Sequence, residues 1–122
     1  MKKNLIITCL LGAITIILGA FGAHALQEIL NSNELKSFET GVRYQMYHVL
    51  VLLFINTQSN FNNKIKNNLS YLFFIGILLF SGSIYAITFG VNVKYVWFVT
   101  PIGGFFFIFG WLSMAYSYFK IE

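Results

Sequence analysis

The sequence predicts an all-α protein, a bundle of four transmembrane helices, on three observations. Of its 122 residues 57% are hydrophobic and only 10% charged, and the mean hydropathy of +0.72 lies outside the range of soluble domains. Four apolar stretches come close to the roughly 20 residues that a membrane-crossing helix requires. The segments between them are short and polar, so the chain reads as a single integral membrane domain over residues 1–122.

The first span is Leu5 to Ala23, behind Lys2 and Lys3. Its end, "GAFGAHAL", carries the small-residue pattern Ala23-His24-Ala25 that a signal peptidase favours. A signal peptide has an apolar core of about 7 to 15 residues, however, and this run is longer, as in a retained helix. The small residues Gly12, Thr15, Gly19, Gly22 and Ala23 form a stripe suited to close packing against a neighbouring helix. Cys9, the only cysteine, excludes an intramolecular disulfide and is expected to pack in apolar surroundings.

The connection after this span is expected to be a helical hairpin on the outer surface. Leu26, Ile29 and Leu30 recur at helical spacing, Asn31-Ser32-Asn33 breaks the pattern and offers a cap, and Leu35, Phe38 and Val42 resume it. The second span, Gly41 to Thr57, is the weakest, because Arg43, Gln45 and His48 precede its purely apolar part, Val49 to Ile55. The asparagine-rich stretch from Gln58 to Asn68 reads as a loop. The third span is Leu69 to Phe89 and the fourth Tyr95 to Phe119, with aromatic residues at both ends as in interfacial belts.

Orientation follows from the basic residues. With the N-terminus inside, the inner segments hold Lys2, Lys3, Lys64, Lys66 and Lys120, and the outer loops hold Lys36, Arg43 and Lys94. Both termini are therefore expected in the cytoplasm, in a multi-pass protein of the plasma membrane. A formal charge of +4 spread over short loops is not the clustered basic face of a nucleic-acid binder.

The uncommon residues gather at the outer end of this topology. His24 closes the first span, and Arg43, Tyr44 and His48 open the second. Ser81, Ser83, Tyr85 and Thr88 lie in the outer half of the third, with Thr100 and Pro101 in that of the fourth. Ser81, Tyr85 and Thr88 are spaced i, i+4, i+7, which puts three hydroxyls on one helical stripe. Together with His24, Arg43, Tyr44, His48, Ser83 and Thr100 they outline a polar chamber for a lipid head group, a quinone-like molecule or a partner helix. Pro101 removes a backbone donor, and Gly103 and Gly104 allow close approach, so this segment is a packing or hinge element. An ionisable residue inside a span is a functional candidate by default, which singles out His48.

The same residues have structural readings. Serine and threonine in membrane helices commonly satisfy neighbouring backbone, and Arg43 can snorkel to the interface or pair with Glu39 one turn earlier. Two histidines on antiparallel neighbours at similar depth raise a bis-histidine haem, but no haem motif accompanies them, no metal ligand set is specified, and no cofactor is assigned. There is no aspartate, no nucleophile set beside a base and no phosphate-binding glycine loop, so an enzyme is not expected. The alternative to a binding or accessory module is a small proton-responsive transporter or channel component using His24 and His48. Its discriminator is the inner half of the bundle, which offers few polar groups beyond Thr8, Asn56, Thr57 and Ser113.

The stretches "GAFGAHAL", "YQMYHVLVLL", "LFSGSIY" and "TPIGGFFFIFGW" resemble, in order, the small bacterial membrane-protein family known as domain of unknown function 423, which has a transmembrane relative in animals. The resemblance covers most of the chain. It implies a multi-pass plasma-membrane protein of similar length and brings no substrate, cofactor or catalytic residue. From the residues themselves, the small size and the ten glycines suit close helix packing, with the bilayer and a second copy or another membrane protein as the expected partners.

Overall fold

The computed structural model describes residues 2–121, except for the side chain of Ala23. That side chain, counted in the small-residue stripe of the first span, therefore lies outside the described residues. The protein is all helical: α1 (Lys2–Ala25), α2 (Ser32–Thr57), α3 (Asn63–Thr88), the single turn α4 (Val93–Val96) and α5 (Val99–Lys120). Among the described residues, three segments are long and apolar enough to cross a membrane: Lys2–Gly22, Asn63–Thr88 and Val93–Lys120. The fourth long helix, α2, has the length but carries too many polar residues to qualify on composition.

The boundaries correct the sequence reading in four places. The segment expected as the second arm of a surface hairpin is the beginning of α2, which runs unbroken from Ser32 to Thr57. Asn31 starts it: its side chain accepts from the Glu34 N–H at 2.8 Å while the Glu34 carboxylate accepts from the Asn31 N–H at 3.0 Å, a reciprocal box that satisfies two otherwise orphaned donors. Leu26 to Leu30 forms turns rather than a first arm, with Leu30 N–H donating to the Leu26 carbonyl at 2.9 Å. The expected loop from Gln58 to Asn68 is only half as long, because Asn62 caps α3 through the Ile65 N–H at 2.9 Å. The fourth span is interrupted at Trp97 and Phe98, between α4 and α5.

The end of α3 shows why the chain turns there. Gly90 adopts a φ of 114°, a left-handed conformation that glycine takes without steric cost. Val91 N–H then reaches back to the Ala86 carbonyl at 2.9 Å and closes the helix end.

The helices pack as α1 on α2, α2 on α3, and α3 on α5. Large side chains of one helix seat on glycines of the next. Phe38 covers Gly22, Val42 faces Gly19 and Val49 faces Gly12, which fixes α1 and α2 as antiparallel neighbours along their whole length. Phe107 of α5 lies over Gly76, and Phe73 of α3 lies over Gly110. At Gly103 the backbone of α3 itself comes close: an added Cβ would stand 2.7 Å from the Phe80 Cα, so only glycine fits without displacing a helix. The core between these contacts is apolar, with Leu52, Ile55 and Phe73 fully buried. Cys9 is not in that core. It is exposed on the outer face of α1, contrary to the packing expected of it, because that side of α1 has no helix against it within the chain.

Candidate functional site

Side-chain hydrogen bonds link the helices at several levels, and the register of packing sets where each level lies. The end of the bundle that holds His24 and the start of α2 is termed the upper end.

At the uppermost level, α2, α3 and α5 are tied by serine and threonine. Ser81 donates to the Gly41 carbonyl of α2 at 2.6 Å. Ser83 hydrogen-bonds the Thr100 hydroxyl of α5 and donates to the Phe80 carbonyl at 2.9 Å. Thr88 turns back on its own helix, donating to the Ile84 carbonyl at 2.9 Å. The three hydroxyls expected on one stripe therefore diverge, with Ser81 on backbone, Tyr85 on a side chain of α2 and Thr88 on α3 itself.

One turn lower a side-chain relay joins three helices. The Tyr85 hydroxyl donates to Gln45 Oε1 at 2.7 Å, and Gln45 Nε2 donates to Thr15 Oγ1 at 2.7 Å. Thr15 in turn donates to the Leu11 carbonyl at 2.6 Å. Gln45 is its hub and is buried to 2% exposure. In the sequence Gln45 stands out only as a residue that weakens the second span. The signal that would find it is a glutamine on the face of Gly41, His48 and Leu52, where an amide is tolerated only if both its ends are bonded.

His48 belongs to a different environment. Its ring stacks on Phe107 with centroids 3.7 Å apart and an interplanar angle of 3°, and it stands 5.6 Å from Phe73. Trp111 Nε1 donates to His48 Nε2 at 3.1 Å. An indole N–H can only donate, so Nε2 carries a lone pair and the proton sits on Nδ1, which donates to the Tyr44 carbonyl at 2.7 Å. Both ring nitrogens are therefore engaged within the chain. Tyr44, one turn away and half exposed, turns its ring to Phe80 instead, at 4.9 Å.

The register also corrects the relation between the histidines. Val49 faces Gly12, so His48 lies opposite the middle of α1, whereas His24 is exposed at its upper end. The two are about 17 Å apart along the bundle at 1.5 Å per residue, and the similar depth expected of them, with the bis-histidine arrangement that depended on it, does not exist.

A third polar level is largely hidden in the sequence. At the lower end Asn56 Nδ2 donates to Ser70 Oγ at 2.8 Å and to the Leu52 carbonyl at 2.9 Å. Asn4 Nδ2 donates to Asn56 Oδ1 at 3.2 Å and to Asn67 Oδ1 at 2.8 Å. Of these side chains only Asn56 stands out along the sequence as a polar group of the inner half. Asn4 and Asn67 read there as terminus and loop, because the helices that carry them begin earlier than their apolar runs, at Lys2 and Asn63.

The remaining candidates surround two grooves at the upper end. One, of about 400 Å³, runs between α1 and α2 and is lined by Gly19, Gly22, Phe38, Glu39, Val42 and Arg43. The other, of about 390 Å³, lies between α2 and the upper ends of α3 and α5, with Thr40, Thr88 and Thr100 among its walls. Only the first has charges of both signs. Gly12 lies below it, against Val49. Pro101 occupies the first turn of α5, where a missing N–H leaves no hydrogen bond unmade, and Gly104 has open space before it.

The chain has clear relatives. The family model described as "Protein of unknown function (DUF423)" matches residues 18–104. The chain is 42% identical over 119 residues to a UPF0382 membrane protein of Haemophilus influenzae, covering 98% of this chain and 95% of that one. It is 39% identical over 121 residues to a UPF0382 membrane protein of Staphylococcus saprophyticus, covering 99% and 100%. It is 34% identical over 119 residues to a UPF0382 inner membrane protein of Escherichia coli, covering 97% and 90%. No solved structure matches the chain.

Proposed function

We propose, for a chain that belongs to the DUF423 family of membrane proteins, that it is a small binding module of the plasma membrane whose site is the groove between α1 and α2. The protein is a multi-pass membrane protein. In this reading α2 is the fourth crossing, both termini face the cytoplasm, and no reaction is catalysed.

The depth of Arg43 carries the reading. Because α2 lies along α1 from end to end, its residues share the depth of those they face. Arg43 follows Val42, which faces Gly19, about 9 Å above the middle of the apolar stretch of α1 at 1.5 Å per residue. Half of a hydrocarbon core is about 15 Å thick. An exposed arginine at that depth is costly unless its side chain climbs toward the interface and meets an anion. The groove gives it that route. Gly19 leaves the α1 wall without a side chain, Val42 supplies apolar surface below Phe38 seated on Gly22, and in this reading the open side faces the bilayer. Such a cleft suits an amphiphile with an apolar stem and a charged head.

The other residues considered for binding support the module as structure. His48, Ser81, Ser83, Tyr85 and Thr100 are hydrogen-bonded to other parts of the chain. The transporter reading gains the Asn4–Asn56–Ser70 level, but Leu52 and Phe73, both fully buried, stand between it and the Gln45 relay.

Native mass spectrometry of the protein extracted in mild detergent tests the proposal against Gly19→Leu. An added Cβ at Gly19 stands 3.5 Å from Val42, an ordinary contact, so the first atom of a larger side chain is accommodated beside the groove, and a melting temperature equal to the parent's shows that the variant keeps its helix packing. A lipid-mass adduct on the parent that is lost from the variant supports the site, and an adduct that survives Gly19→Leu places it elsewhere.

A further inference from the structure

We infer that the α1–α2 groove selects a zwitterionic glycerophospholipid with a primary amine, its phosphate held by Arg43 and its ammonium by Glu39; this rests on the reading of the groove as an amphiphile site. The inference comes from the order of the two charges. Both residues line the same groove, and they are one helical turn apart on α2, so Glu39 lies about 6 Å nearer the water than Arg43. By the register with α1 the arginine is rooted inside the hydrocarbon layer, and the glutamate stands at its boundary.

A purely anionic head group meets this pair badly. Arg43 attracts its phosphate, but the Glu39 carboxylate sits directly above, where the rest of the head must go. A head group whose phosphate is joined to the glycerol and whose amine extends toward water presents its charges in the same order as the groove, negative deep and positive shallow. The guanidinium offers a planar fork of donors to phosphate oxygens. A primary ammonium has three N–H donors for a carboxylate, whereas a trimethylated one has none. Burial in a partly apolar cleft strengthens both contacts over their values in water. The stem of the lipid then runs down past Val42 toward the bilayer.

Loading the detergent-solubilised protein with equal amounts of phosphatidylethanolamine, phosphatidylglycerol and phosphatidylcholine, followed by native mass spectrometry, compares the three directly. Phosphatidylethanolamine, which alone of the three offers both a phosphate to Arg43 and N–H donors to Glu39, should be retained about tenfold over either competitor, the equivalent of about 1.4 kcal/mol. Glu39→Gln should bring it level with phosphatidylglycerol, and Arg43→Gln should lower retention of all three. Equal or greater retention of phosphatidylglycerol, or a preference unchanged in Glu39→Gln, overturns the zwitterion assignment while leaving the groove as a lipid site. Retention of no lipid by the parent, or retention that Gly19→Leu does not alter, overturns the groove reading itself.

Discussion

Trp111 and His48 meet across the bundle, the indole N–H of α5 donating to Nε2 of the α2 imidazole at 3.1 Å. The bond fixes the tautomer of His48 and ties α5 to a helix with which it shares little backbone contact. Replacing Trp111 by Phe keeps much of the aromatic contact with Phe73 and removes the donor. The buried Nε2 then lacks a partner, which costs about 1 to 3 kcal/mol. Thermal unfolding in a fixed detergent should show a clear drop for Trp111→Phe. A variant as stable as the parent would mean that the indole bond adds nothing net.

Gly103 and Gly104 are adjacent and behave oppositely. A methyl group on Gly103 meets the Phe80 backbone, which cannot yield without moving α3 from α5, while one on Gly104 meets nothing within 4 Å. Gly103→Ala should therefore destabilise strongly, by more than about 2 kcal/mol. Gly104→Ala should be neutral to slightly stabilising, since alanine is the better helix former by roughly 1 kcal/mol. Paired melting curves distinguish them, and equal effects would contradict the close approach at Gly103.

The Gln45 relay should act as a unit. Tyr85→Phe and Thr15→Val each remove one of the bonds to the amide. Hydrogen bonds between membrane helices average about 0.6 kcal/mol in double-mutant cycles and reach about 1.7. The cycle between these two positions should show non-additivity, because either loss frees the shared glutamine to reorient. Strict additivity would indicate two independent contacts that happen to share a residue.

Cys9 reports on the outer face of α1. A spin label there should be relaxed by oxygen, which concentrates in the bilayer, far more than by a water-soluble nickel chelate. The reverse order would place that face against water or protein.

The helices are legible in the sequence wherever the hydrophobic run is long. Three apolar spans and the asparagine cap at residue 31 follow from composition and spacing, while the polar residues expected together at one end are spread over several depths, with His48 at mid-bundle and Asn4, Asn56 and Ser70 at the lower end. Helix ends are less legible. The first turns of α2 and α3, Ser32 to Lys36 and Asn63 to Asn68, carry a single apolar residue each, Leu35 and Ile65, so the one reads as a separate surface arm and the other as a loop. For the candidate site, residue types point to His48, Tyr85 and the serines, but type does not say which partner a side chain finds. Antiparallel register decides that. It moves His48 to mid-depth and gives Gln45 its central place, and it sets Arg43 beside two glycines of another helix. None of this can be counted along one helix alone.

The two polar levels on α1 and α2 have a consequence for how the helices find their alignment. Thr15 and Gln45 form one, Asn4 and Asn56 the other, and on both helices the partners are eleven residues apart. Gly12 and Gly19 stand seven residues apart, as do Val42 and Val49, so a slide of two turns would still seat one valine on one glycine, although Phe38 would leave Gly22. Such a slide would break both of these side-chain bonds between the two helices at once. The pairs thus work as a two-point vernier: the valine–glycine repeat alone would tolerate a slide, and coincidence at both marks, with Phe38 on Gly22, selects one alignment.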